Sequence, residues 1–149
     1  MSLKQTIQED AKQALLKRES VKADTLRLLL AALVNKEKEA GRTEDLSDEE
    51  VQQIVSFEAK KRRESIEAFE KGGRKELAEK EQQELEVLFA YLPEQLSEQE
   101  ITKLAKEAIA KTKATEPKDM GKVMGELAPQ TKGKADGSKV SKVVKELLS

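Results

Sequence analysis

The chain has 149 residues with no Cys and no His, and its formal net charge at pH 7 is −1. The missing thiols and imidazoles exclude disulfides, thiolate metal sites and every Ser-His or Cys-His catalytic pair. Because aromatic residues make up only 3 %, the core has to be built from Leu, Val, Ile and Ala. The near-neutral charge also argues against tight, non-specific binding of nucleic acid.

No apolar run approaches the roughly 20 residues that cross a bilayer. The residues from Met1 to Gln5 are polar and amphipathic, unlike a signal peptide or a membrane anchor. We therefore expect a cytoplasmic protein with no membrane partner. Phosphate-binding loops and calcium-loop spacings are missing as well, so no cofactor and no metal site is expected.

Apolar periodicity predicts four helices before Pro93. The first covers about residues 2–17, and the second covers about 21–40 and ends before Gly41. Ser47 and Glu50 have the spacing of a capping box, which begins a long third helix that ends before Gly72. The fourth covers about residues 74–91.

Three shorter helices are predicted after Pro93. Ser97 and Glu100 form a second capping box for the fifth, Pro129 is expected to end the sixth, and Asp136 is the expected N-cap of the seventh. No segment alternates like a strand, so the predicted fold is all-α. It consists of a four-helix amino-terminal part and a small three-helix domain.

The junction between Leu92 and Pro93 is the predicted domain boundary. All aromatic residues precede it, and all basic residues after it are Lys. Two compositions on either side of a proline indicate two packing units, 1–92 and 93–149. No sustained heptad pattern predicts a coiled coil, so we expect a monomer.

Charged residues interrupt the apolar stripes of the first domain, including the third-helix stripe that contains Phe57. A charge at a core position has to be paired or solvated. We therefore interpret some of these residues as an ionic network between helices, in preference to a polar binding groove. Charge reversal at Glu81 should then lower the melting temperature. The candidates are Arg27, Glu37, Lys61, Arg62 and Glu81.

Lysines outnumber acids in the second domain and are the candidates for phosphate contacts: Lys122, Lys132, Lys134, Lys139 and Lys142. Gly121 and Gly125 form a stripe of small residues in the sixth helix. Such a stripe admits another backbone, either a neighbouring helix or a ribose-phosphate chain. We favour packing against a neighbouring helix.

Several short motifs in both halves, together with Ala78 and Glu81, resemble the GatB/YqeY family. The similarity extends from about Leu26 to Leu148. The motifs occupy residues 61–66 (KRRESI), 91–93 (YLP), 119–124 (DMGKVM) and 133–137 (GKADG).

The resemblance implies a helical amino-terminal part and a tail domain similar to that of the B subunit of glutamine-dependent aspartyl/glutamyl-tRNA amidotransferase. In that enzyme the tail contacts tRNA, and the carbon–nitrogen ligase chemistry lies in other domains. The resemblance therefore implies an accessory module that interacts with tRNA and is not catalytic by itself, with an amidotransferase or aminoacyl-tRNA synthetase as partner. The alternative is a protein-interaction adaptor with no nucleic-acid role, whose sign would be an exposed apolar patch.

Overall fold

Ser or Asp side chains cap the start of four of the seven α-helices. In a computed structural model, which describes residues 1–149, the hydroxyls of Ser2 and Ser47 each accept a hydrogen bond from the backbone N–H three residues on. Their own backbone N–H groups donate in return to the side chains of Gln5 and Glu50, which completes a capping box at each helix. Ser97 accepts the corresponding bond from the Glu100 N–H, but the return bond is not made, so only half of the predicted second box is present. Asp136 caps the last helix by accepting from the Ser138 N–H.

The structure is helical throughout and contains no strand, which confirms the all-α prediction and the arrangement of four helices followed by three. A single 3₁₀ turn, Pro117–Asp119, precedes the sixth helix. The helices are α1 Leu3–Leu16, α2 Ser20–Glu39, α3 Asp48–Lys71, α4 Lys75–Phe89, α5 Glu98–Thr112, α6 Met120–Thr131 and α7 Gly137–Leu148.

The chain divides into two compact units, Met1–Leu92 and Pro93–Ser149. Each has its own apolar core. In the first unit the fully buried side chains come from α1, α2, α3 and α4, and include Ile7, Leu26, Leu29, Val51 and Leu88. In the second unit they come from α5, α6 and α7, and include Ile101, Val123, Leu127, Val140 and Val144. Whether each unit folds by itself stays a prediction.

The prediction that Pro129 ends the sixth helix is wrong, because α6 continues through Pro129 to Thr131. A proline inside a helix removes one backbone hydrogen bond and crowds the carbonyl four residues earlier. Two bonds hold the turn that follows: the Lys132 N–H donates to the Ala128 carbonyl, and the Thr131 hydroxyl donates to the Leu127 carbonyl. The helix therefore ends one residue before Lys132, in a turn that carries lysines.

Candidate functional sites

Arg62 of α3 lies between two carboxylates of α4. Its Nη1 is 3.8 Å from Glu81 Oε2, and its Nε is 3.4 Å from Glu84 Oε2. These side chains are largely buried, but Arg62 Nε and Glu81 Oε2 make no hydrogen bond. The structure thus brings together two of the five ionic candidates, Arg62 and Glu81, and adds Glu84.

The two carboxylates and single guanidinium leave this cluster with an excess of negative charge. Burial raises the pKa of Glu81 above its ordinary value, and the neighbouring charge of Glu84 raises it further. Arg62 acts in the opposite direction, but its closer partner is Glu84. The negative charge of Glu81 is therefore less well compensated than that of Glu84.

Glu37 takes part in a separate cluster around Lys4 of α1. Lys4 Nζ donates to Glu37 Oε1 and to Asp45 Oδ1, both at 2.9 Å, and the Lys4 side chain is only 10 % exposed. The hydrogen bond to Glu37, followed by that to Asp45, raises the pKa of Lys4. Sequence periodicity did not single out Lys4, because its partners are 33 and 41 residues away.

Arg27 and Lys61 form no ion pair between helices. Arg27 is exposed and lies 3.7 Å from Asp24, and Lys61 lies 2.7 Å from Glu58, in each case on its own helix. The single network anticipated from the sequence is therefore two inter-helix clusters, and these two residues belong to neither. A residue at the edge of an apolar stripe can turn its long side chain into solvent, which avoids the cost of burial.

A groove of about 780 Å³ runs between α2 and α3, and Arg62 contributes to one end of it. Phe57 lines the groove and is 60 % exposed, although the sequence placed it in the apolar stripe. Lys61 Nζ lies 5.0 Å from the centre of its ring. We call this feature the α2–α3 groove. Its apolar lining consists of Leu28, Ala31, Ala32, Ile54 and Phe57.

All five lysines proposed from the sequence as phosphate contacts are exposed. Lys122 lies 3.9 Å from Asp119, whereas the other four have no carboxylate within 4 Å. Lys122 lies in the first turn of α6, whereas Lys132 directly follows the last residue of this helix, so about 15 Å of helix axis separates the two. The structure therefore sets Lys122 apart from the rest.

The four remaining lysines follow one another through the α6–α7 turn and along α7. Lys132 and Lys134 lie in the turn, and Lys139 and Lys142 lie on the solvent face of α7, opposite Val140 and Val144. Lys145 continues this row at the next three-residue step and has no carboxylate partner; it was not among the lysines proposed from the sequence. We call Lys132, Lys134, Lys139, Lys142 and Lys145 the lysine surface.

Hydrogen bonds from the segment before α5 hold the α6–α7 turn in place. Gln95 Nε2 donates to the carbonyls of Pro93 and Gly133, both at 2.9 Å, and the Leu96 N–H donates to the Lys134 carbonyl at 2.8 Å. Gly133 has a φ of +76°, which is a conformation that favours glycine. The backbone of the turn that carries Lys132 and Lys134 is thus held by specific hydrogen bonds.

Gly121 and Gly125 face open space, since a Cβ atom added at either would meet nothing within 4 Å. The interpretation that they admit a neighbouring helix of the same chain is therefore wrong. Both lie on the outer face of α6, opposite Val123 and Leu127, which are fully buried. That a ribose-phosphate chain packs against these two glycines stays a prediction.

None of the helices combines the length and the apolar character that crossing a bilayer requires.

The chain is similar to curated relatives named "Altered inheritance of mitochondria protein 41, mitochondrial". It is 31 % identical to the protein of Pyrenophora tritici-repentis over 145 residues, which cover 95 % of this chain and 78 % of the relative. The match to the protein of Eremothecium gossypii is 38 % over 86 residues, 58 % of this chain and 46 % of the relative, so that the aligned part spans about half of that protein.

The expectation of a cytoplasmic location is contradicted, because these relatives are named as mitochondrial proteins. That expectation rested on the lack of an apolar leader, whereas mitochondrial targeting segments are amphipathic and Arg-rich.

A family model described as "Yqey-like protein" matches residues 4–148, which cover nearly all of both units and all the motifs noted in the sequence. The chain therefore belongs to the YqeY-like family.

Proposed function

We propose that the chain is an accessory module that binds the backbone of folded RNA, with tRNA as the first candidate, through the lysine surface of its second unit. The observation that supports this most is that the ammonium groups of the lysine surface have no ion-pair partner within the protein. All five of these lysines are exposed and lack a carboxylate within 4 Å. Such groups can neutralise phosphates without first breaking an internal ion pair.

The second unit favours contacts to phosphate and ribose over contacts to bases. It contains no aromatic residue, so unstacked bases would find no stacking partner. Lysine ammonium groups bind phosphates as point charges and carry no sequence information. The role that fits these groups is to hold a tRNA by its shape while another protein, a tRNA amidotransferase or an aminoacyl-tRNA synthetase, supplies the chemistry.

A salt-titrated binding assay with total tRNA tests this proposal. Substituting Lys134, Lys139 and Lys142 together by Gln should weaken binding and lower the slope of log K against log salt by about 3, close to one for each phosphate that is no longer neutralised. The matched control replaces three exposed and unpaired lysines of the first unit, Lys12, Lys22 and Lys38, by Gln. Its net charge is identical, and its slope should stay near that of the wild type.

Two results would remove the proposal. One is a lack of tRNA retardation even at low ionic strength. The other is an equal weakening of binding in the two triple variants, since this would mean that overall charge rather than the lysine surface attracts the RNA.

A further inference from the structure

We propose that the α2–α3 groove is a docking site for an amphipathic helix of a partner protein, whose apolar residues recur at i, i+3 or i+4, and i+7. The groove lies within the first unit, and the inference does not depend on RNA binding by the second. It rests on the shape of the groove, its charge pattern and the exposed apolar residues of the chain.

The groove has the length of a short helix. Its lining residues on α2 extend from Leu28 to Glu39, and those on α3 extend from Gln53 to Arg62. At 1.5 Å per residue these stretches measure about 16 Å and 14 Å, or roughly three helical turns. Apolar side chains on three successive turns of a helix are the anchors that helix-in-groove complexes use.

The apolar lining of the groove combines small and large side chains. Ala31 and Ala32 are small, whereas Leu28 and Phe57 are large and have exposed fractions of 52 % and 60 %. Small residues let a second helix come close, and large apolar residues beside them can pack between its side chains. Lys61 lies over one face of the Phe57 ring, and most of the ring remains open to a partner.

The charges around the groove favour a helix over a phosphate. Lys36 is paired with Glu39 on the α2 side, and Lys61 is paired with Glu58 on the α3 side. The remaining cation of the lining, Arg62 at one end of the groove, lies between Glu81 and Glu84 of α4. Every cation of the groove therefore has a carboxylate partner, and none is left over for an anionic ligand. Walls of mixed charge complement a helix with both Glu and Lys beside its apolar stripe, as at the flanks of coiled coils.

A second copy of this chain lacks the element that would fill the groove. Leu15 and Leu16 are adjacent, and Leu28 and Val34 are six positions apart, so no helix exposes large apolar residues at the required spacing. The exposed large apolar side chains are Met1, Leu15, Leu16, Leu28, Val34, Phe57 and Leu77. The occupant is therefore a helix of a different protein.

Two synthetic peptides of identical composition provide the test. Both contain about 14 residues of Leu, Glu, Lys and Ala; one carries its leucines at i, i+3, i+4, i+7 and i+11, and the other has them spread around the helix. NMR amide shifts of the full chain would be recorded during titration with each. We expect the striped peptide to shift the amides that line the groove and to bind about tenfold more tightly than the scrambled one.

Substitutions at exposed positions test the location without endangering the core. Ala31→Glu places a charge in the groove lining, and Phe57→Ala removes the exposed ring; each should weaken binding of the striped peptide about fivefold or more. Leu16→Ala is the matched control, because Leu16 is 68 % exposed on α1 and does not line the groove. Its affinity should equal that of the wild type, and the melting temperature of each variant verifies folding.

Four results would overturn the proposal. Equal binding of the scrambled peptide would mean non-specific attraction, and so would shifts of amides outside the groove. Shifts of the groove amides that depend on protein concentration without peptide would assign the groove to self-association. Shifts of the same amides with total tRNA would assign it to nucleic acid.

Discussion

Arg62 is shared unequally by its two carboxylates, and this decides how the α3–α4 pair responds to pH. The pKa of Glu81 is raised, first by burial and then by Glu84, so the folded state holds this proton more tightly than the unfolded chain. Protonated Glu81 therefore stabilises the folded state. This contribution is fully present below pH 4.5, the ordinary glutamate pKa, and is lost as the pH rises through the raised pKa of the folded state. At pH 7 an ionised Glu81 is therefore a cost to the folded state.

We accordingly expect Glu81→Gln to raise the melting temperature at pH 7 by about 2–4 °C and to flatten its pH dependence above 4.5. Glu84→Gln should instead lower it, because Arg62 then keeps only the carboxylate at 3.8 Å. Charge reversal, Glu81→Lys, is still expected to lower it, since it sets a second cation beside Arg62. Thermal melts from pH 4 to 8 distinguish the variants; a drop at pH 7 for Glu81→Gln as large as for Glu84→Gln would contradict the unequal sharing of Arg62.

The α6–α7 turn is the element whose geometry the lysine surface depends on, and Gln95 positions it. Gln95→Glu replaces the donating amide by a carboxylate that faces the carbonyls of Pro93 and Gly133. We expect the Leu96 amide to exchange with solvent about tenfold faster, because an unmet buried hydrogen bond costs about 1–3 kcal/mol. Binding to tRNA should weaken in parallel.

Gln99→Glu is the control for this variant. Gln99 is exposed in the first turn of α5, so the substitution adds the same charge without touching the turn. Equal exchange rates at Leu96 in both variants would show that charge alone, and not the contact to Gly133, affects the turn. Faster exchange in Gln95→Glu with unchanged tRNA binding would separate the turn from the proposed RNA contact.

The helices could be predicted from the sequence, because apolar spacing and caps such as Ser47 with Glu50 act within a few residues. The bonds that shape the candidate sites could not, since they join residues far apart: Lys4 with Glu37, and Gln95 with Gly133. The exposure of Phe57 was missed for a related reason. Apolar periodicity predicts which face of a helix is apolar. Whether that face is buried depends on how close the neighbouring helix lies, which periodicity does not reveal.

At the scale of the whole molecule, the two separate cores imply two folding units of unequal stability. A chain of about 60 residues buries only about 60 % of the surface that it exposes when unfolded, and the fraction rises with length. The second unit, Pro93–Ser149, is the smaller one. It should therefore unfold at a lower temperature than Met1–Leu92.

Separate expression of residues 1–92 and 93–149 tests this division. We expect both fragments to give helical circular dichroism and to melt cooperatively, the second at the lower temperature. The melting curve of the full chain should then show two transitions close to those of the fragments. A fragment 93–149 that stays unfolded by itself, with a full chain that melts in a single step, would mean that the two cores fold as one cooperative system and that Leu92–Pro93 is not a domain boundary.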